Sequence, residues 1–490
     1  MINDLIFKKP EEEGLYSGQI LKFLKQMEER KKNLHSFMIV RHGNILAEGY
    51  YKPFHKDFQH RLYSASKTVV ALAIGKLIGD GKVCLGDKIA DFFPEYRDRE
   101  QHKWLQECTV EDALKMSVPM LTDTYFDRKY KEWAWTFFNR QEALKPAGTV
   151  FNYNTSGSFI LDVLVEKLTG QTFLEYLSPI FEKIGVSKDI WCIKAPDNFS
   201  WGGSGVMATM RDFAKIGELV LHKGEYKGEQ LLPRDFMERA TSPQISNIEE
   251  NNYSEMRTMG YGYQIWIHKH GYSLYGMGSQ LAICFPDKDF LFVCNGDTQC
   301  NADSSADFIY REVKECLYNA LDTDCIEDGS YKELQLVLKN LELVKDFGAK
   351  NSPFQKEIDG VKYRLEKNVM GWKWLQFDFA CGAGVLTYEN ERGVKKICFG
   401  LGEYMQGAFP ETHYYDRQVD VPAGRELDAL FIANWTEEKK LLLRNYIIDT
   451  NFGNCFMTFG FKGNEIGIMM HKRAEFFMDE YQGFAGGERE

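Results

Sequence analysis

Tyr63-Ser64-Ala65-Ser66-Lys67-Thr68 runs directly into Thr68–Gly81, TVVALAIGKLIGDG. The second stretch is apolar on all sides, which predicts a helix buried in the middle of a domain. If that helix begins near Ser64, then Ser64 and Lys67 lie three residues apart on one face of it. The Ser64 backbone N–H then belongs to the positive end of the helix, where a developing oxyanion is best stabilised. A serine hydroxyl is a weak nucleophile near neutral pH and needs a neighbouring base, a role open to a lysine amine. Ser-x-x-Lys alone is weak evidence, since about two chance matches are expected in a chain this long. Here the pattern stands once, where the chemistry requires it.

Upstream, residues 17–31 carry apolar residues at helical spacing and predict an amphipathic helix. His35 to Tyr51 reads as two strands joined by the turn Arg41-His42-Gly43-Asn44. Downstream, roughly Lys82 to Glu250 reads as mainly helical with long loops, with Thr109–Met116 and Phe159–Leu168 the clearer helices. Strand character returns in three runs, at Tyr261–His270, Tyr272–Phe285 and Asp289–Asp297, with a hairpin turn at Pro286–Asp289. Residues 304–320 predict a further helix. The expected fold class is therefore α/β (α+β): an antiparallel sheet flanked by terminal helices, with a helical lobe at about 85–250 inserted between its strands. This domain is expected over residues 1–325.

Residues 326–358 read as a linker containing a short helical stretch at Glu333–Leu343. Over 359–490, strand-like runs recur at short intervals, among them WKWLQFDFA, GVLTYEN, LDALFIANW, KLLLRNYIID and NCFMTFGF. That spacing predicts a separate antiparallel β sheet or barrel.

Composition narrows the function. Hydrophobic residues make up 44% and charged residues 27% of 490, which is globular. The net charge of −11 argues against nucleic acid as a partner, because binding to a phosphate backbone needs clustered Lys and Arg. No basic n-region with an apolar stretch opens the chain, and no run is long enough for a membrane helix, so a cytoplasmic protein without a membrane partner is expected. Eleven scattered cysteines with no Cys-x-x-Cys pair read as buried free thiols, not a disulfide frame or a zinc site. No His-Glu-x-x-His or Gly-x-Ser-x-Gly motif occurs, and neither a metal nor another cofactor is expected. His268 and His270 read as loop histidines.

Two more segments bear on the chemistry. Pro146–Gly157, PAGTVFNYNTSG, is a Pro/Gly turn leading into a polar loop centred on Tyr153. A tyrosine held beside a lysine ammonium ionises more easily and can act as general base. Tyr275–Gln280, YGMGSQ, reads as the opening of a strand, where glycines let a substrate approach the backbone and a backbone N–H can complete an oxyanion hole.

Taken together, Ser64-x-x-Lys67, the Tyr153 loop and the glycine-rich segment resemble the class C β-lactamase and penicillin-binding-protein superfamily in order and spacing. The segments GKVCLGDKIADFFPE, TVEDALKMS, PAGTVFNYNTSGSFIL and GGSGVMATMRDFAKIGEL are similar to that family's as well. The resemblance covers about residues 10–320, and the nearest members are β-lactamase-related and 6-aminohexanoate-dimer-hydrolase-like serine hydrolases. It implies that Ser64 is acylated, that Lys67 helps deprotonate it, and that Tyr153 relays the proton to the leaving group and activates water. It also implies that Asn154, Trp201, Gly278, Ser279 and Gln280 contact the substrate, a small molecule or short peptide. Two features depart from the pattern. Tyr-x-Asn becomes Tyr153-Asn154-Thr155, and Lys/His-Thr-Gly falls on about Gly278-Ser279-Gln280, with no basic residue. The lost cation favours an ester or amide over a β-lactam, and keeps open a catalytically silent binding protein or a slow penicillin-binding sensor.

Overall fold

The computed structural model describes all residues except 1–5, 97–100, 126–129, 141, 249–253, 300–304, 324–327, 346–347, 411–425 and 475–480. The chain forms two compact units, Met1–Leu343 and Val344–Glu490.

In the first unit, β1 (Ile6–Phe7), β2 (Leu34–Arg41) and β3 (Asn44–Tyr50) join β4 (Trp266–His268), β5 (Gly271–Gly276), β6 (Gln280–Phe285) and β7 (Phe290–Gly296). The sheet order is β1-β3-β2-β7-β6-β5-β4. All its pairings are antiparallel except β1 with β3. The first and last segments of the fold thus share one sheet, and everything between Tyr50 and Trp266 is an insertion.

Every residue of β2, β6 and β7 is buried, because the sheet is covered on both faces. On one side lies α1 (Ser17–Glu29) with α6 (Ser305–Glu312) and α7 (Ser330–Lys339); on the other lies α5 (Met210–Leu221). α1 buries Ile20, Phe23, Leu24 and Met27, the stripe that its apolar spacing foretells. Residues 330–339, inside the stretch read as linker, form a helix packed on α1 and β3.

At the centre of the inserted lobe is α2 (Ser66–Gly79), buried from Ser66 through Gly75 and packed against α3 (Thr155–Thr169) and α4 (Phe173–Ile184). No helix among the described residues is long and apolar enough to cross a membrane.

The second unit is a closed β-barrel. Neighbouring strands pair antiparallel from Lys362–Leu365 onward, and the ring closes where Gly400 and Leu401 pair in parallel with Ile432 and Ala433. Two strands escaped the sequence reading, Met405–Phe409 and Gly483–Arg489. The latter alternates partly buried and exposed residues without a strong apolar face. Aromatic side chains fill the interior, with Phe377 edge-on to Phe459 at 4.9 Å and Trp372 stacked on Tyr388 at 4.0 Å.

Candidate active site

Ser64 sits in a single 3-10 turn, Tyr63–Ala65, that feeds directly into α2. The helix proper begins two residues later than the serine, yet the pair still meets: Lys67 Nζ donates to Ser64 Oγ at 2.9 Å and to the Gly203 carbonyl at 2.7 Å. Ser64 is partly exposed, and Lys67 is almost entirely buried. The residue before the nucleophile, Tyr63, has φ of 47°. A left-handed tyrosine is strained and persists only where its surroundings hold it. The Arg61 guanidinium does so from beneath, 4.3 Å from the Tyr63 ring and 4.6 Å from that of Trp201, with Nε donating to the Ser204 carbonyl.

Tyr153 approaches from the loop before α3, near enough for the Ser64 side chain to act on its phenol. Its ring stacks on Trp266, with centroids 5.5 Å apart and planes 16° from parallel, and Lys67 Nζ lies 5.1 Å from its centre. The loop is fastened from below. Asn152 Nδ2 donates to the carbonyls of Met120 and Leu121, and Asn154 Nδ2 to that of Thr122. Asn154 Oδ1 accepts the Gly157 N–H as the N-cap of α3.

Burial raises the Tyr153 phenol well above its ordinary range, outweighing the Ser64 hydrogen bond and the Arg257 charge that pull the other way. This corrects the expectation of a readily ionised tyrosine. A buried phenolate loses more solvation than the nearby cations return, so burial favours the neutral phenol.

The glycine-rich segment is also corrected. Tyr272–Phe285 is not one strand but the β5–β6 hairpin, reversing at Met277-Gly278-Ser279 with φ of 79° at Gly278 and 72° at Ser279. Its tip presses on the nucleophile turn: a Cβ on Gly276 would stand 2.1 Å from the Leu62 carbonyl oxygen. Only a residue without a side chain fits there.

The structure brings Ser64, Lys67 and Tyr153 together and sets Gly276, at the end of β5, against the turn that carries Ser64. It does not present the other expected contacts to a ligand. Asn154, Trp201, Ser279 and Gln280 are buried. Ser279 Oγ bonds Thr298 Oγ1 at 2.7 Å, and Gln280 Nε2 donates to the carbonyls of Met277 and Gly296. These side chains are already engaged within the protein.

Two charged neighbours had no signal in the sequence, because each lies in a long loop. Asp123 accepts the Ser156 N–H at 3.0 Å and feels the Lys67 charge; burial raises its pKa. Arg257 lies over the Tyr275 and Trp266 rings at 5.2 and 5.7 Å, with Nη2 3.4 Å from Asp307. Among the described residues no cluster of His, Cys, Asp and Glu is arranged to hold a metal. Cavities of about 490 and 430 Å³ elsewhere in this unit contain none of the three groups, so chemistry and not volume singles out the site.

A family model described as Beta-lactamase matches residues 23–299. The 6-aminohexanoate-dimer hydrolase of Paenarthrobacter ureafaciens is 24% identical over 218 residues, 41% of this chain and 56% of that protein. The chain therefore spans little more than half the length of this curated relative. Among solved structures, a candidate 6-aminohexanoate-dimer hydrolase from Bacillus anthracis has a TM-score of 0.52 at 18% identity, covering 65% of this chain and 87% of that one. A hydrolase with promiscuous acyltransferase activity has a TM-score of 0.50 at 14% identity, covering 62% and 98%. At these identities the structures speak for the fold alone.

Proposed function

Because the chain belongs to the beta-lactamase family, we propose that it is a serine hydrolase cleaving an ester or amide of a small molecule or short peptide through a Ser64 acyl-enzyme. The observation that carries this reading is the contact of Lys67 Nζ with Ser64 Oγ at 2.9 Å, with the same nitrogen 5.1 Å from the centre of the Tyr153 ring. Ser64 Oγ attacks the carbonyl as its proton passes to Lys67. The Ser64 N–H and a backbone N–H of the Met277–Ser279 hairpin stabilise the oxyanion. Neutral Tyr153 gives its proton to the leaving ester oxygen or amide nitrogen and is reprotonated from Lys67. Water then attacks the acyl carbonyl, giving its proton up through the same pair, and Ser64 is restored. The chemistry calls for no cofactor. Unbridged thiols at the described cysteines support a reducing, cytoplasmic setting.

The absence of a basic side chain at Gly278-Ser279-Gln280 favours a second reading, slow acylation without turnover, as in a penicillin-binding sensor or a silent binding protein. Intact-mass spectrometry after fluorophosphonate treatment, run beside p-nitrophenyl ester turnover, separates the two. A single adduct on Ser64, lost in Ser64→Ala and accompanied by turnover, is the expected result. No adduct and no turnover in folded wild type would leave the binding protein. An adduct without turnover of any ester or amide would leave the sensor.

A further inference from the structure

Asp162 lies in the middle of α3 and is fully buried. A helix interior needs no cap, so this carboxyl has no local backbone role. Its Oδ2 accepts the Gly202 backbone N–H at 3.0 Å, and its Oδ1 has no hydrogen-bond partner. Burial, reinforced by Glu166, pushes its pKa well up. A buried half-satisfied carboxyl is expensive, and the hydrogen bond it makes among the described residues is the one to Gly202.

That contact leads to the nucleophile. Gly202 has no room for a side chain, since a Cβ there would stand 2.5 Å from Val70 Cγ2 and 2.8 Å from Asp162 Oδ2. The carbonyl of the next residue, Gly203, accepts Lys67 Nζ at 2.7 Å, and the same nitrogen reaches Ser64 Oγ at 2.9 Å. A second carboxylate on α3 fastens the same loop upstream, where Glu166 Oε1 accepts the Ser200 N–H and hydroxyl. The other ionisable groups acting on Asp162 are Lys194 and Asp197, and Cys192 lies near it.

We propose that Asp162 is a positioning residue for the Ser64–Lys67 pair. It holds Gly202 by its backbone N–H, which aims the Gly203 carbonyl, which in turn holds the lysine amine on the serine. The inference rests on the Ser64–Lys67 reading and adds a residue that never touches substrate.

The test uses the full chain as wild type, Asp162→Asn, Asp162→Leu and Leu164→Ala. Asparagine keeps the acceptor, leucine fills the space without one, and Leu164 is a buried residue of the same helix. Two quantities are read: the pH profile of Ser64 labelling by a fluorophosphonate, and the titration of the Lys67 ε-carbon by 13C NMR, assigned with Lys67→Arg. Asp162→Asn should stay near wild type in both. Asp162→Leu should label roughly 100-fold more slowly, the scale of a misplaced catalytic group, with a displaced Lys67 titration. Leu164→Ala should lose thermal stability and leave both readouts in place.

Wild-type behaviour in Asp162→Leu overturns the proposal, as does an equal effect in Leu164→Ala. If leucine prevents folding, Asp162→Ala is read by the same criteria. If wild-type Ser64 takes no label, the hydrolase reading falls on its own. The Lys67 titration then still decides whether Asp162 controls the lysine.

Discussion

At the residue scale, buried single groups carry the sharpest consequences. His60 is fully buried, its Nε2 2.8 Å from His35 Nδ1 and its Nδ1 3.0 Å from the Arg61 carbonyl. Because a carbonyl only accepts, His60 Nδ1 carries a proton and Nε2 accepts from His35. Burial lowers the His60 pKa from 6.5 to about 3. Between those values the unfolded chain binds the extra proton, so stability is complete above the upper one and falls as the pH drops toward the lower one. The slope is about 1.4 kcal/mol per pH unit. Buried acids run the other way, with Glu218 raised to about 7 and Asp197 to about 6. The His60 share is therefore read as the difference between wild type and His60→Gln in denaturant unfolding across this range. A pH-independent difference would refute it. Tyr153→Phe should fold normally, since its ring packing survives, and should lose roughly 10²–10⁴-fold in ester turnover, the usual contribution of a general acid.

At the element scale, the β5–β6 hairpin shows what pattern reading misses. Leu274, Gly276, Leu281 and Ile283 are all buried, so burial continues on both sides of a reversal whose Gly278-Ser279 turn reads as the opening of a strand. The decisive fact is the closeness of the tip to Leu62, a contact between residues over 200 positions apart. Gly276→Ala should cost about 1–3 kcal/mol as an overpacked contact and should slow Ser64 labelling by shifting the nucleophile turn. Thermal melts and labelling rates check both. Normal stability with normal labelling would mean the two backbones separate freely. By contrast, α1 and eight of the barrel strands were legible, because their periodicities of 3.6 and 2 follow from local backbone geometry, and α2 was legible from its unbroken apolar run.

At the scale of the whole molecule, each unit buries its own core. The barrel interior is built around Leu375, Phe377, Leu386, Phe399 and Phe459, all fully buried, within residues 344–490. A fragment of residues 344–490 should therefore fold alone with a cooperative melt and a β-type circular dichroism spectrum, and residues 1–343 should retain Ser64 labelling. A fragment that stays unfolded at low concentration would show that the boundary at 343/344 does not mark independent stability.

The sequence by itself determined that a buried helix follows Ser64 closely enough to put Lys67 beside it, since residues three apart stay neighbours through a 3-10 turn as through an α turn. It also determined that the last third of the chain is β-structure. Only the tertiary structure decided that Tyr153 comes to the Ser64–Lys67 pair, that burial raises its phenol, that the hairpin abuts the nucleophile turn, and that a parallel pairing at Gly400 and Leu401 closes the barrel. Those outcomes depend on which distant segments exclude water together. A local pattern of apolar and polar residues records the face that will be buried, but not the partner that buries it.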